Sequence, residues 1–237
     1  FMNCSSLTSI VIPDSVTRIG RKAFSGCTAL TNIVIPNTVT EIDYNAFECC
    51  SGLTSIVVSE GNMVYDSRNN CNAIIETSSN TLIRGCQNTV VPDTVTEIEW
   101  HAFENCSGLT SVVIPDSVKK IWECAFEGCT GLTSIVVSEG NKVYDSRNNC
   151  NAVIETSRDE MIKGCQNTVI PDTVTSIESY AFKNCSGLTN IAIPNTVNFI
   201  NSFQFMGCTG LTSVVIPTSV RSIEECAFKG CTGLTSI

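Results

Sequence analysis

The chain repeats one short pattern of apolar and polar positions, seen most clearly in residues 109–129, LTSVVIPDSVKKIWECAFEGC. Alternation over residues 112–114 predicts a short strand with two side chains turned inward. Pro115 has no N–H for a sheet ladder, so it ends that strand in a turn. A second short extended or turn segment is expected at residues 118–121. Residues 125–129 favour one helical turn closed by a left-handed residue.

One such unit has no second layer against which to bury its apolar side chains, so copies must stack, and each copy is called a rung below. The cysteine that closes the unit recurs at intervals of 23, 23, 56, 23, 56, 23 and 23 residues. A phenylalanine stands three positions before each of these cysteines, and all seven prolines share one place in the repeat. The closing cysteines are Cys4, Cys27, Cys50, Cys106, Cys129, Cys185, Cys208 and Cys231. The spacing predicts ten strands, the last cut short at Ile237.

Each long interval is one 23-residue repeat plus an insertion of 33 residues, near 59–85 and 138–164. In the first insertion, two apolar runs at residues 73–76 and 81–83 flank a polar TSSN stretch, which predicts a β-hairpin. The hairpins are expected either to project from the stack or to pad one side of it. The second hairpin carries charged residues at its tip, including Arg158, so we expect that tip to be exposed to solvent.

Small residues at fixed places indicate special backbone geometry. The position before the closing cysteine is Gly or Asn in most rungs, which predicts a left-handed residue there. Cys49 occupies this place in one rung and predicts strain or altered geometry. A Ser or Thr follows each strand turn, for example Thr38 and Ser219. Its hydroxyl is expected either to bond backbone groups at the turn or next rung, or to serve as a simple turn former.

The fifteen cysteines are best explained as free, buried thiols. Eight recur beside an apolar ladder, where cysteine acts as a small hydrophobic residue. Their number is odd, and stacked rungs present parallel side chains that do not face each other. Two disulfides across the hairpins, Cys71–Cys86 and Cys150–Cys165, remain the alternative.

Composition excludes several classes of function. The net charge of −9 argues against nucleic acid and anionic membranes as partners. No stretch is long and apolar enough to insert into a membrane, and no lipidation motif is present. The chain begins and stops within repeats and has no polar cap, so it is expected to be a fragment of a longer protein that could stack end to end.

No enzyme site is predicted. The one histidine, His101, occupies a polar and variable place in the repeat and is expected at the surface. Asp66 and the asparagines after it do not match an EF-hand loop, so hydrogen bonding within a tight turn is favoured over calcium. We therefore predict no catalytic residue, no metal and no cofactor.

The unit LTSIVIPDSVTRIGRKAFSGC resembles the BspA-like, or Treponema pallidum-type, leucine-rich repeat along the whole chain. The shared features are the spacing, the Ile-Pro strand end, Ala-Phe and the Gly-Cys close. The resemblance implies an α/β repeat solenoid, a right-handed curved leucine-rich repeat with a parallel concave β-sheet, over residues 1–237 as a single domain of about ten rungs. A right-handed parallel β-helix is the alternative, favoured if three continuous sheets run along the axis.

The resemblance also implies a cell-surface or secreted bacterial protein that binds protein, in some relatives host matrix proteins such as fibronectin and fibrinogen. The alternative is a passive stalk or spacer that presents another domain. Exposed aromatic residues and a stripe of outward-facing valines are the candidate binding residues, together with the hairpin tip. These residues are Val11, Val34, Val113, Val136, Val215, Trp100, Trp122 and Arg158.

Overall fold

A computed structural model describes residues 1–43 and 45–236. The chain forms two compact units. The first unit contains Phe1–Leu109 and Ser117–Cys129, and the second contains Thr110–Asp116 and the chain from Thr130 onward. Both units are built from short strands joined by turns.

Each rung contributes one strand of three or four residues and one strand of two residues, except where an insertion or a chain end alters the pattern. Up to residue 109 the strands are β1 (Arg18–Ile19), β2 (Asn32–Ile35), β3 (Glu41–Ile42), β4 (Ser55–Val58), β5 (Tyr65–Asp66), β6 (Ala73–Glu76), β7 (Thr81–Gly85) and β8 (Glu97–Ile98). After it they are β9 (Ser111–Ile114), β10 (Lys120–Ile121), β11 (Ser134–Val137), β12 (Tyr144–Asp145), β13 (Ala152–Glu155), β14 (Glu160–Gly164), β15 (Ser176–Ile177), β16 (Asn190–Ala192), β17 (Phe199–Ile200), β18 (Ser213–Val215) and β19 (Ser222–Ile223).

The strands stack in parallel and in register from one rung to the next. In the first unit β2 pairs with β4, β1 with β3, and β8 with β10. In the second unit β9 pairs with β11, β16 with β18, and β17 with β19. Burial alternates along the longer strands, as in β2 where Ile33 and Ile35 are buried and Asn32 and Val34 are exposed. The predicted solenoid of stacked parallel strands is therefore confirmed.

The insertions form antiparallel hairpins, as predicted. In the first unit β5, β6 and β7 pair antiparallel, and β7 then pairs in parallel with β8. In the second unit β12, β13 and β14 repeat this arrangement, and β14 pairs with β15. The first three residues of β6 and of β13 are buried. Each hairpin therefore joins the row of short strands and pads the stack, which decides between the two placements expected for it.

The remaining side of each rung consists of turns that are bonded to the next rung. The N–H of Phe103 donates to the carbonyl oxygen of Ala125, and the N–H of Asn105 to that of Glu127, both at 2.7 Å. The predicted left-handed position before the closing cysteine is confirmed, with φ of 56° at Asn105 and 69° at Gly128. Cys49 also has a positive φ, 56°, and so carries the strain that its side chain predicts.

A second left-handed residue, which the repeat pattern did not predict, lies four positions before this one. In successive rungs this place is held by Lys22, Asn45, His101, Cys124, Tyr180, Phe203 and Cys226. Because two left-handed residues interrupt the segment, it cannot continue as a helix. The helical turn predicted for residues 125–129 is therefore replaced by consecutive turns. In the described part of the chain, helix is limited to two 3₁₀ segments, Arg68–Asn70 and Arg147–Asn149.

The cores are ladders of identical side chains. Stacked phenylalanine rings lie 5.4 Å apart for Phe24 and Phe47 and 4.9 Å apart for Phe103 and Phe126. In the second unit the rings of Phe182 and Phe205 stack at 5.2 Å. Offset stacking of buried rings adds to the stabilisation from burial itself.

All fifteen cysteines, each within the described ranges, are present as thiols. This confirms the prediction of free thiols over the two hairpin disulfides. Ten of the fifteen are buried as expected, whereas Cys4 is exposed and Cys49, Cys124, Cys226 and Cys231 are half-buried. The thiol of Cys86 instead donates to the carbonyl oxygen of Asn72 at 3.4 Å, and that of Cys165 to Asn151 at 3.3 Å. Among the described residues, no helix is long and apolar enough to span a bilayer.

Candidate protein-binding surface

The outward face of the longer strands carries exposed valines in matching register. In the first unit Val34 of β2 lies directly opposite Val57 of β4. In the second unit Val113 of β9 lies opposite Val136 of β11. Neighbouring strands are about 4.8 Å apart, so each pair forms a continuous apolar strip. Val11 and Val215 have the same place in their own rungs and are also exposed.

Three further valines, Val57, Val90 and Val169, are exposed in the same way and were not predicted. Each stands two positions before the proline place of its rung, which is held by Ser59, Pro92 or Pro171. Counting back from that place in every rung would have found them. We refer to these eight residues as the valine stripe: Val11, Val34, Val57 and Val90 in the first unit, and Val113, Val136, Val169 and Val215 in the second.

Hydroxyl groups beside the valine stripe bind the backbone of neighbouring rungs. The hydroxyl of Thr54 donates to the carbonyl oxygen of Thr31 at 3.0 Å, and that of Thr133 donates to Thr110 at 3.0 Å. At the strand turns the hydroxyl of Thr38 donates to the carbonyl oxygen of Val16 at 2.8 Å. It therefore bonds the backbone of an adjacent rung, which was one of the two roles expected for it. These bonds tie successive rungs together and hold the valines on a regular backbone.

The two tryptophans lie elsewhere, after β8 and β10 rather than in the valine-bearing strands. The rings of Trp100 and Trp122 are 5.7 Å apart and tilted by 38°. The indole N–H of Trp122 donates to Glu97 at 3.1 Å, and the ammonium of Lys120 lies over its ring. Trp100 is the more exposed of the pair. The structure therefore brings the two tryptophans together, in segments that follow the short strands β8 and β10.

Arg158 lies at the exposed tip of the second hairpin, as predicted. Its guanidinium donates to the carboxylate of Glu155 and lies 3.2 Å from Glu160. Hydrogen bonding from Arg158 lowers the pKa of Glu155. The arginine is thus a surface charge of the second unit that is paired with Glu155 and Glu160.

Each asparagine-rich turn contains an arginine that is paired with aspartate. The guanidinium of Arg68 donates to both carboxylate oxygens of Asp66, at 2.8 and 2.6 Å, and to the side chain of Asn80 at 2.7 Å. Arg147 bonds Asp145 and Asp159 in the same way in the second unit. The hydrogen bonds from Arg68 thus hold Asp66 in the tight turn, as one expectation for this segment stated.

A cavity of about 670 Å³ opens in the first unit where the hairpin replaces a turn. Trp100, His101, Glu104 and Glu48 are among the residues that line it, together with buried Arg84. Arg84 donates to the carbonyl oxygens of His101 at 3.0 Å and Glu104 at 3.1 Å, and so fixes the backbone of that turn.

His101 is half-buried rather than fully at the surface, and acidic residues converge on it. Its Nδ1 lies 3.6 Å from a carboxylate oxygen of Glu104. Side-chain atoms of His101, Glu104 and Glu127 lie within 4.8 Å of one another, as do those of Glu48, Cys49 and Glu104. Burial raises the pKa of Glu104, His101 opposes that shift, and Glu48 and Glu127 add to it. This convergence was not predicted, although the three glutamates follow the ladder phenylalanines at one place in the repeat.

Parallel strands in register, a phenylalanine ladder and a closing cysteine define the protein as a leucine-rich repeat solenoid. The sequence matches the BspA type leucine-rich repeat region in six copies, over residues 1–84, 75–157 and 159–237. The chain therefore belongs to the BspA-type leucine-rich repeat family. No curated protein has significant similarity to it.

Three solved bacterial structures are similar to this chain. A leucine-rich cell surface protein of Faecalibacterium prausnitzii is 33% identical, with a TM-score of 0.63 over 95% of this chain and 55% of that one. A leucine-rich repeat protein of Eubacterium ventriosum shares the fold at 22% identity, with a TM-score of 0.55 over 92% of this chain and 63% of that one. The pneumococcal vaccine antigen PcpA shares it at 18% identity, with a TM-score of 0.55 over 91% and 62%. The present chain thus spans less than two thirds of each of these proteins.

Proposed function

We propose that this chain is a non-enzymatic, protein-binding segment of a bacterial cell-surface or secreted protein, and that the exposed valines of the first unit, of the second unit or of each unit by itself make the contact. The observation that carries the proposal is the register of exposed valines on adjacent strands, Val34 with Val57 and Val113 with Val136. Exposed apolar side chains in a continuous row are typical of interaction sites, because water contact at each of them is unfavourable. The description of the Faecalibacterium protein as a cell surface protein supports the location.

The chemistry of the surface favours a protein partner over nucleic acid. Small hydroxyl side chains flank the valines and offer hydrogen bonds beside the apolar strip. The net charge of −9 disfavours polyanions. We propose a host extracellular-matrix or host surface protein as the partner class, with the tryptophan pair and the Arg158 hairpin tip as secondary contacts.

The test is a binding panel with variants of the full chain. Binding to immobilised fibronectin, fibrinogen and other host-surface proteins would be measured by surface plasmon resonance at low and high salt. Val34→Ser with Val57→Ser, and Val113→Ser with Val136→Ser, are the test pairs. Apolar contact predicts that binding persists at high salt and weakens at least about ten-fold in one or both pairs.

Matched controls separate the valine stripe from apolar exposure in general. Ile223 of β19 is 53% exposed, close to the 54% of Val113, yet lies in the row of short strands. Ile223→Ser should leave binding unchanged. Binding that survives both valine pairs would contradict the proposed surface. Absence of binding across the panel would favour the alternative, a stalk or spacer, for which the regular backbone ladder between rungs is already suited.

A further inference from the structure

Stacking places equivalent side chains of successive rungs next to each other. A charged residue that recurs at one place of the repeat therefore lies beside a residue of the same charge. Glu48, Glu104 and Glu127 each follow a ladder phenylalanine. The rungs of Glu104 and Glu127 are direct neighbours, since the N–H of Asn105 donates to the carbonyl oxygen of Glu127. Two carboxylates at such spacing repel each other unless a cation lies between them.

The repeat contains an internal comparison for this arrangement. In the first rungs the corresponding three places hold Lys22, Ser25 and Glu48. There the ammonium of Lys22 lies 3.1 Å from the carboxylate of Glu48, and the hydroxyl of Ser25 donates to it at 3.4 Å. That carboxylate is therefore neutralised by a cation of the protein.

The same three places in the later rungs hold His101, Glu104 and Glu127. A neutral or weakly basic ring replaces the lysine, and a second carboxylate replaces the serine. Glu104 is only 9% exposed, and its Oε2 accepts no hydrogen bond. The Nδ1 of His101 is also buried and has no hydrogen-bond partner. Buried polar atoms are almost always hydrogen-bonded, so these two atoms, which face each other at 3.6 Å without a hydrogen bond, indicate a missing ligand.

The buried cation Arg84 does not fill this role. The guanidinium of Arg84 donates to the carbonyl oxygens of His101 and Glu104, not to a carboxylate. The role of Arg84 is structural, because its bonds hold the turn that carries the side chains of His101 and Glu104. Lys22 in turn lies against Glu48.

We propose that His101, Glu104 and Glu127 bind a divalent transition-metal ion of the zinc class, through Nδ1 of the imidazole and one oxygen of each carboxylate. Imidazole with carboxylates suits Zn²⁺, whereas Ca²⁺ and Mg²⁺ prefer oxygen ligands alone. Two ligands on a tetrahedral zinc ion, each at about 2.1 Å, are about 3.4 Å apart. The observed separation of 3.6 Å between His101 and Glu104 is close to this value, and all three ligand atoms lie within 4.8 Å of one another.

A competing ligand set shares Glu104. Side chains of Glu48, Cys49 and Glu104 are equally close together. However, the amide of Asn105 donates to the Cys49 sulfur at 3.1 Å, and Lys22 pairs with Glu48, so both already have partners. The buried atoms without a hydrogen bond are those of His101 and Glu104, which is why we assign the ion to that side.

The test is Zn²⁺ titration of the full chain by calorimetry, after chelator treatment and with the thiols kept reduced, and Co²⁺ absorption spectroscopy on the same samples. We expect one ion per chain and a Co²⁺ spectrum without the intense thiolate-to-metal charge-transfer band. Glu104→Gln and Glu127→Gln should each lower Zn²⁺ affinity by more than about ten-fold, the smallest loss expected even for a residue that only supports a ligand. Zn²⁺ should raise the thermal midpoint of the wild-type chain and not of these variants.

Two further variants make the outcome decisive. Glu123→Gln removes an exposed carboxylate four residues before Glu127 and should bind like wild type. Cys49→Ser should also retain the affinity and the Co²⁺ spectrum. The proposal would be overturned if Cys49→Ser lost Zn²⁺ binding or if the wild-type Co²⁺ spectrum showed a thiolate band. It would also be overturned if Glu104→Gln bound Zn²⁺ as tightly as wild type, or if the wild-type chain bound no Zn²⁺. Glu104→Gln removes a buried charge and is expected to fold, and Glu127→Gln, at a half-buried position, serves as the second test.

Discussion

The thiol of Cys129 donates a hydrogen bond to the carbonyl oxygen of Phe103, 26 residues earlier, at 3.1 Å. The same bond links Cys50 to Phe24 at 3.0 Å and, in the second unit, Cys208 to Phe182 at 3.1 Å. The closing cysteine is therefore both a small apolar side chain and a weak donor to the rung before it. This double role explains why cysteine recurs at this place of the repeat.

The first prediction concerns that bond. Cys129→Ala should lower the free energy of unfolding by about 1–2 kcal/mol, because it removes the buried sulfur and the donor. The cost is limited because the N–H of Cys106 also donates to the Phe103 carbonyl oxygen. Urea unfolding measures the change. Cys4→Ala, at an exposed place in the same ladder, should stay within about 0.5 kcal/mol of wild type. Equal losses at the two positions would show that the thiol hydrogen bond does not contribute to the free energy of unfolding.

The buried thiols also predict sensitivity to alkali. Burial raises the pKa of Cys50 from 9.0 to about 12 and that of Cys106 to about 11. In the unfolded chain these thiols ionise near their ordinary pKa, so the unfolded state binds fewer protons as the pH rises. Stability is therefore complete below pH 9.0 and is lost progressively toward the folded-state pKa, about 12 for Cys50.

Urea unfolding at several pH values, with reductant present, tests this prediction. Above the unfolded pKa each such thiol should contribute a loss of about 1.4 kcal/mol per pH unit. Cys50→Ala should remove one such contribution and flatten the pH dependence. Val39→Ala, at a buried position that does not titrate, should lower stability by the same amount at every pH. A steep alkaline loss that persists unchanged in Cys50→Ala would assign the effect to other groups.

The phenylalanine ladder makes a position-dependent prediction. Phe126→Ala should cost about 3–5 kcal/mol, as for other buried aromatic residues, because the ring is 2% exposed and stacks on Phe103. Phe1 is 62% exposed and should cost little when replaced by alanine. Denaturant unfolding of both variants measures the difference. Similar losses at the two positions would contradict a stability that arises from contacts between neighbouring rungs.

Sequence periodicity was sufficient for the solenoid, because the places of Phe126, Pro115 and Cys129 each impose one local geometry that stacking then repeats. It was sufficient for Gly128 as well, since only Gly and Asn accept a left-handed backbone easily. It failed at His101 and Cys124, whose side chains do not favour a left-handed backbone. Each closes a tight turn within its own rung, in which the N–H of Glu104 donates to the carbonyl oxygen of His101 and that of Glu127 to Cys124, both at 3.0 Å. The convergence of Glu104 and Glu127 was missed for a related reason: the repeat was compared for apolar places and not for charges that stacking brings together.

The last prediction concerns the long rungs, where a glycine replaces the ladder phenylalanine. A Cβ atom on Gly85 would lie 2.3 Å from a ring carbon of Phe103, so this ring occupies the space that a side chain would need. The backbone of Gly85 lies outside the left-handed region, and an alanine there would meet a packing clash alone. Gly85→Ala should therefore lower the free energy of unfolding by about 1–3 kcal/mol.

A double-mutant cycle in urea tests this cause. Phe103→Leu removes the ring edge that meets the new methyl group, so Gly85→Ala should cost less in that background than in the wild type. Gly20→Ala is the matched control, because its Cβ would be 3.9 Å from the nearest side-chain atom and should be tolerated. If Gly85→Ala cost the same free energy of unfolding in the Phe103→Leu background as in the wild type, the clash with the ring would not be the cause. A non-additive result would show that the hairpin is accommodated in the stack because glycine leaves room for the first phenylalanine of the next ladder.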